Sequence, residues 1–350
     1  MARRFAVPAT GIWIGGLVAL AAAVVIAIVL RTDISGRGGS GLGKSFTFDD
    51  THLRQVDPNL VIYEELAHAK IATGFTEARG LAVGAEGRVF VAGDEAVSIF
   101  GPDGKPQKQF ATGGPARCVA AADDGTVYVG VADHIEMYDS LGGRRSAWPA
   151  PKDESLITSV TVWNDNVLGG FYRKRAGFVV RYDKSGRLLN EIMSRDDSGA
   201  VEGFVTPSPH LDAAVGANEV VWIANPGKLR VEAYTLAGQP LPALNWGKPS
   251  AGAARLIEGF VPCCNPTDFA ILPDGGFVTA EKGIPRVKVY NAAGRFEGVV
   301  AGPDRFGPDA SGLDVAVDAQ GRVLVLDPPA KAVRVFVSRK KSAGMNADGR

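Results

Sequence analysis

The chain carries three cysteines, one at Cys118 and two adjacent at Cys263 and Cys264. Together with the imidazole of His210, these thiols would suit a soft or borderline metal such as Cu(I) or Zn²⁺. Oxidation competes with that use, either between Cys118 and one member of the doublet or within the doublet. Neighbouring Cα atoms lie about 3.8 Å apart, below the usual disulfide range, so a bridge within the doublet would be strained and easily reduced, as a redox role requires. Any intramolecular bridge leaves one thiol over. A second set is Asp212, Asp268 and Asp314, whose oxygens would suit a hard cation such as Ca²⁺ if they converged; otherwise each accepts hydrogen bonds from nearby backbone amides. A third set, Arg79, Arg117, Asn225, Asn265, Glu281, Lys282 and Arg286, would suit an anionic ligand or the acidic patch of a protein, with a solvated rim as the plainer alternative.

No nucleophile–base signature joins them. His52, His68, His134 and His210 have no signature serine nearby, so no motif demands an enzyme. Lys+Arg and Asp+Glu both number 38, and the basic clusters sit at the two ends, which argues against nucleic acid as a partner. Residues Gly38–Ser45 match the phosphate-loop pattern in form only. Neither the strand before it nor the helix after it that would cradle phosphate is present in the pattern, so nucleotide binding is not expected.

The elements that must position these residues repeat. Each copy has an apolar strand, a tight turn, a second β-rich strand and a third strand ending in Tyr or Phe before a polar turn. The first reads Gly80–Val83, Val89–Ala92 and Val97–Phe100; the second reads Cys118–Ala121, Val127–Gly130 and Ile135–Tyr138. Further copies span Ser159–Gly186, Asp212–Gly238, Asp268–Gly294 and Asp314 to about Val337. Alternation with period two and the absence of helical periodicity predict six four-stranded blades in a ring, an all-β six-bladed β-propeller over residues 59–337. That is roughly 46 residues per blade, within the ~40–50 expected of such repeats. The sixth copy lacks an outer strand, which Leu60–Tyr63 would supply to close the ring. Aligned on the first turn, Gly80, Cys118, Ser159, Asp212, Asp268 and Asp314 share one position at the start of the innermost strand, beside the central channel. Two near copies, Glu202–Pro207 and Glu258–Pro262, lie in long connections and are expected to plug apolar surface with Phe204 and Phe260.

The run Val220–Asn225 followed by Arg230–Tyr234, with its counterpart in Phe277–Tyr290, resembles NHL-repeat propellers. The likeness covers about 280 residues and implies a fold, with very little function. The stretch Cys263–Pro266 through Glu281–Gly283 is similar to exported bacterial propellers of this kind, a likeness that brings no activity with it.

Before the repeats, Gly11–Leu30 is 20 residues without a charge. At 1.5 Å per residue it is about 30 Å long, enough to cross a bilayer core. Arg3 and Arg4 precede it, so residues 1–10 are expected in the cytoplasm and 11–30 as a transmembrane signal anchor, with a cleaved signal peptide as the alternative. Residues 31–58 are expected to form a flexible linker, Gly- and Ser-rich from Arg31 to Lys44, and 338–350 a basic polar tail. In a bacterium this places the propeller on the periplasmic side of the inner membrane. The expected function is a binding or assembly module with a protein partner in a membrane or periplasmic complex. The alternative is a metal-dependent or redox protein with its centre at the channel mouth, including a hydrolase resembling gluconolactonase-type propellers.

Overall fold

The computed structural model describes residues 54–195, 199–200, 202–248, 257–261, 264–307 and 310–339. The expected anchor at 11–30, the pattern at Gly38–Ser45 and Cys263 lie outside the described residues. Among the described residues no helix is long and apolar enough to cross a membrane.

Six antiparallel sheets follow one another along the chain. Blade one is Ala78–Val83, Val89–Gly93, Ala96–Phe100 and Pro106–Ala111; blade two is Ala116–Ala121, Val127–Val131, His134–Tyr138 and Arg144–Ala147. Blade three is Leu156–Trp163, Asn166–Arg173, Ala176–Asp183 and Leu188–Ile192, with Phe204–Val205 added to its third strand. Blade four is Ala213–Val215, Val221–Asn225 and Arg230–Tyr234; blade five is Asp268–Ile271, Phe277–Glu281, Arg286–Tyr290 and Phe296–Ala301. Blade six combines Asp314–Val317, Val323–Asp327 and Ala332–Ser338 with Tyr63–Glu65 from the start of the chain. The chain is a six-bladed β-propeller.

The hydrophobic core is divided in the same way. Among the described residues the six larger clusters of buried side chains each fill one gap between adjacent blades, for example that of Val179 and Ile223 between blades three and four, and that of Val278 and Val325 between five and six. A blade is therefore buried on both faces. That is why the second strands read as near-continuous apolar runs, such as Val89–Gly93. The outer turns are set by Asp or Asn followed by Gly. Asp139 accepts from the N–H groups of Leu141 and Gly143 at 2.8 Å each, and Gly142 takes the left-handed φ of 75° that the turn requires.

Two expectations need correction. The closing strand is shifted from Leu60–Tyr63 to Tyr63–Glu65, which pairs with Phe336–Ser338; Ile71–Ala72 pairs with the other end of the same strand. Pro58–Leu60 forms a helical turn capped by Asp57, and Val61 bridges to Val299 of blade five, so the chain arrives across the junction of blades five and six. Among the described residues blade four also has three strands rather than four. Pro240 and Pro242 lack N–H donors, and only isolated bridges form there, at Tyr234 with Pro240 and at Val231 with Trp246. The Trp246 ring is directed inward instead, with centroids 4.8 Å from both Phe277 and Tyr290.

Candidate functional site

The six aligned positions do form one ring: five pair with a residue near the same place on their second strands, Gly80 with Ala92, Cys118 with Gly130, Ser159 with Gly170, Asp268 with Ala280 and Asp314 with Leu326, and the C=O of Asp212, just before its strand, accepts from Ala224 N–H at 2.9 Å. Around this ring each blade is fastened to the next. Asp212 Oδ2 of blade four accepts from Phe269 N–H of blade five at 3.0 Å. Asp268 Oδ1 accepts from Val315 N–H of blade six at 2.8 Å, and Asp314 Oδ2 from Leu81 N–H of blade one at 3.1 Å. Arg117 Nε donates to Ile157 C=O at 3.0 Å between blades two and three, and Thr158 Oγ1 donates to Leu211 C=O at 2.7 Å between three and four. Between blades one and two Ala116 N–H donates to Asp94 C=O at 2.9 Å and the backbones pack closely, since a Cβ on Gly80 would stand 2.6 Å from Cys118 Cα. The carboxylates thus satisfy neighbouring backbone donors, the plainer of their two expected roles.

Above this ring lies a cavity of about 510 Å³ at the mouth of the channel, within the range of small-molecule sites. Its wall includes Arg79, Arg117, Thr158 and His210, with Asp212, Asp268 and Asp314. Burial lifts Asp212 to about 7, against the pull of its backbone hydrogen bonds. Burial, then the charges of Asp314 and Asp212, raises Asp268; burial and Asp212 raise Asp314. Three facing carboxyls cannot all ionise in a poorly hydrated floor. His210 moves the other way. Burial, then Lys282 and Arg117, lowers it to about 4, so its imidazole is neutral near pH 7.

Cys118 and Cys264 do not join this site. Cys118 Sγ lies over Gly130, where a Cβ would meet it at 2.2 Å and the Ile157 side chain at 3.0 Å, so the thiol belongs to the core between blades two and three. Burial raises its pKa, which keeps it a thiol. Cys264 is also a buried free thiol, and neither lines the cavity that His210 faces. Among the described residues no three His, Cys, Asp or Glu side chains are placed to hold a metal ion.

Of the expected ligand-binding residues, Arg79 and Arg117 face the cavity. Asn225, Asn265, Glu281 and Arg286 are buried away from its wall. Asn265 donates to Val261 C=O at 3.0 Å and Lys282 C=O at 3.1 Å and accepts from Lys282 N–H at 2.8 Å, so it ties the connection before blade five to that blade. Asn225 accepts from Val205 N–H at 3.1 Å and donates to Glu232 at 3.0 Å. Glu281 stands at the matching place in blade five and accepts from Val261 N–H at 2.9 Å. The two near-identical connections are therefore held by the same contact. Lys282 is half-buried and donates to Ser208 Oγ at 2.5 Å.

A buried lysine escaped the sequence reading. Lys288 is fully buried, 3.4 Å from Glu281, whose carboxylate also holds Arg286 at 2.7 Å. Burial drives Lys288 down to about 7 although Glu281 opposes the fall; burial would raise Glu281, but Lys288 and Arg286 outweigh it and hold it low. Its signal lay in aligning third strands on their terminal aromatic. The position two residues earlier is Glu136, Glu232, Lys288 and Arg334 in blades two, four, five and six, and each is a buried charge held in an ion pair.

No protein-family model matches the chain, and no curated protein matches it. Among solved structures it is similar to a streptogramin B lyase at 12% identity and TM-score 0.53, covering 79% of this chain and 97% of that one. A selenomethionine-substituted virginiamycin B lyase from Staphylococcus aureus matches at 14% and 0.53, over 79% and 98%. The WD40 β-propeller domain of Doa1 matches at 12% and 0.52, over 80% and 98%. These likenesses support the propeller fold alone.

Proposed function

We propose that the protein is an extracytoplasmic binding module that takes an anionic ligand into its channel mouth. Residues 11–30 tether it to the inner membrane, with the propeller on the periplasmic side as part of a membrane complex. The propeller itself supports a binding or scaffold role, since loops at the strand ends of a rigid ring are where recognition groups collect. The observation that carries the reading is the placement of Arg79 and Arg117 on adjacent blades, both facing the cavity, with Arg79 paired to Glu77. Burial and the charge of Arg79 both disfavour the Arg117 cation, and an anion between the two guanidiniums would relieve them. The uncharged run 11–30 supports the tether.

A thermal-shift screen of small carboxylates, phosphates and sulfonates tests the site. At least one anion should raise the melting temperature of the wild type and leave the Arg79→Ala/Arg117→Ala variant unmoved; equal shifts in both proteins, or none in either, would count against it. An alkaline phosphatase fused after residue 45 should be active only if that point lies outside the cytoplasm. Solubilised membranes should yield a stoichiometric protein partner, and recovery of the chain alone would refute the complex.

Catalysis at the same mouth is a second reading, favoured by the neutral imidazole of His210 in the cavity wall. The lyases among the similar structures share the fold at 12–14% identity, which carries no activity across. Mass spectrometry of the recovered anion separates the two. An unchanged anion supports binding, and a product lost in His210→Ala supports catalysis.

A further inference from the structure

Charge is segregated across the mouth. Arg79 and Arg117 come from blades one and two, whereas Asp212, Asp268 and Asp314 come from blades four, five and six. In a ring of six, blade one stands opposite blade four and blade two opposite blade five. Asp212 and Asp268 therefore come from the blades opposite the two guanidiniums, whereas Asp314 stands beside blade one, its Oδ2 on Leu81 N–H, and all five side chains line one cavity.

The carboxyls meet backbone donors and one another. Asp212 engages both oxygens, with Ala213 N–H at 2.8 Å and Phe269 N–H at 3.0 Å. Asp268 commits Oδ1 and Asp314 commits Oδ2 to backbone donors, and beyond these the two carboxyls are hydrogen-bonded to one another rather than to a cation. Ser159 Oγ, buried near Asp212, makes no hydrogen bond of good geometry. Burial and mutual repulsion raise Asp268, and this is what a carboxyl cluster does when no cation compensates it. Among the described residues the two arginines face a single paired carboxylate, Glu77, beside Arg79.

Resting on the reading of the mouth as an anion site, we infer that its ligand is a small dipolar molecule of the ω-amino acid class. Its carboxylate lies against Arg79 and Arg117, and its ammonium lies against Asp212, Asp268 and Asp314. A cavity of about 510 Å³ accepts such a molecule with room for water.

The test is a titration series on the full-length protein in detergent. The probes are the unbranched ω-amino acids from glycine to 6-aminohexanoate, each beside the fatty acid and the alkylamine of matching length. At least one amino acid is expected to bind about tenfold or more tightly than both of its singly charged analogues. Asp268→Asn and Asp314→Asn keep an amide oxygen for the backbone donors they serve, so the blades stay fastened while the charge is lost. Each should erase the preference for the amino acid without weakening fatty-acid binding, and unaltered melting temperatures would confirm that the ring is intact. Arg117→Ala should weaken amino acid and fatty acid alike. Fatty acids binding as tightly as amino acids, dependent on Arg117, would overturn the dipolar ligand while sparing the anion site. Amines binding as tightly as amino acids, or no binding by the series up to about 10 mM, would also overturn it. Binding indifferent to both arginines would overturn the anion site itself.

Discussion

Replacing Glu281 by Gln should remove one of the larger single contributions to blade five. The carboxylate lies 2.7 Å from Arg286 Nε and 3.4 Å from Lys288 Nζ, with all three side chains nearly inaccessible. At an effective dielectric of 20 each contact has a gross attraction of about 5–6 kcal/mol, most of it offset by desolvation of three charges. Glutamine keeps an acceptor for Val261 N–H and leaves two buried cations uncompensated, so the net loss should be about 3–5 kcal/mol. Urea unfolding at matched slope measures it. The pH dependence has a definite sign. A lysine lowered in the folded state gives up its proton there first, so its cost is full below about 7 and fades as pH rises toward its unfolded value. Without Glu281 the folded Lys288 falls further, and recovery starts at lower pH. The gap between wild type and variant should be wider at pH 6 than at pH 8, and Glu281→Gln/Lys288→Met should regain part of the loss at pH 6. A loss below about 1 kcal/mol, or a gap that widens with pH, would refute the reasoning.

Gly80→Ala should cost about 1–3 kcal/mol in urea unfolding, because the new methyl meets the backbone of Cys118 at 2.6 Å rather than a movable side chain. The imidazole of His210 should titrate near 4 by NMR, and Lys282→Met should raise that value by removing a nearby cation. Cys118 should resist thiol reagents in the native protein, and Cys118→Ser should lose about 1–3 kcal/mol by placing a hydroxyl among Ile157 and its neighbours.

The blades were legible in sequence because period-two strands and Asp/Asn–Gly turns are local signals, and they fixed the ring position shared by Asp212, Asp268 and Asp314. Arg79 and Arg117 could be placed at the mouth for the same reason: they immediately precede that position. Glu281 and Arg286 could not be read correctly. Their charges suggested a surface, whereas both faces of their strands are covered, and the covering connection lies some twenty residues away in the chain. Cys118 misled through geometry. Its Cα is at the ring, but alternation along the strand turns its thiol into the core between blades. The shortened blade four was written in Pro240 and Pro242, which strand periodicity alone does not weigh.

The site itself can be tested by plugging it. Ser311 lines the mouth cavity, and Ser311→Cys can be modified with a bulky maleimide while wild-type protein treated in parallel controls for the native thiols. Binding of the anion identified by the thermal-shift screen would then be measured by calorimetry. Abolished binding to the modified variant, with its melting temperature in the absence of anion unchanged, is the expected result. Binding that persists with the mouth filled would contradict the account.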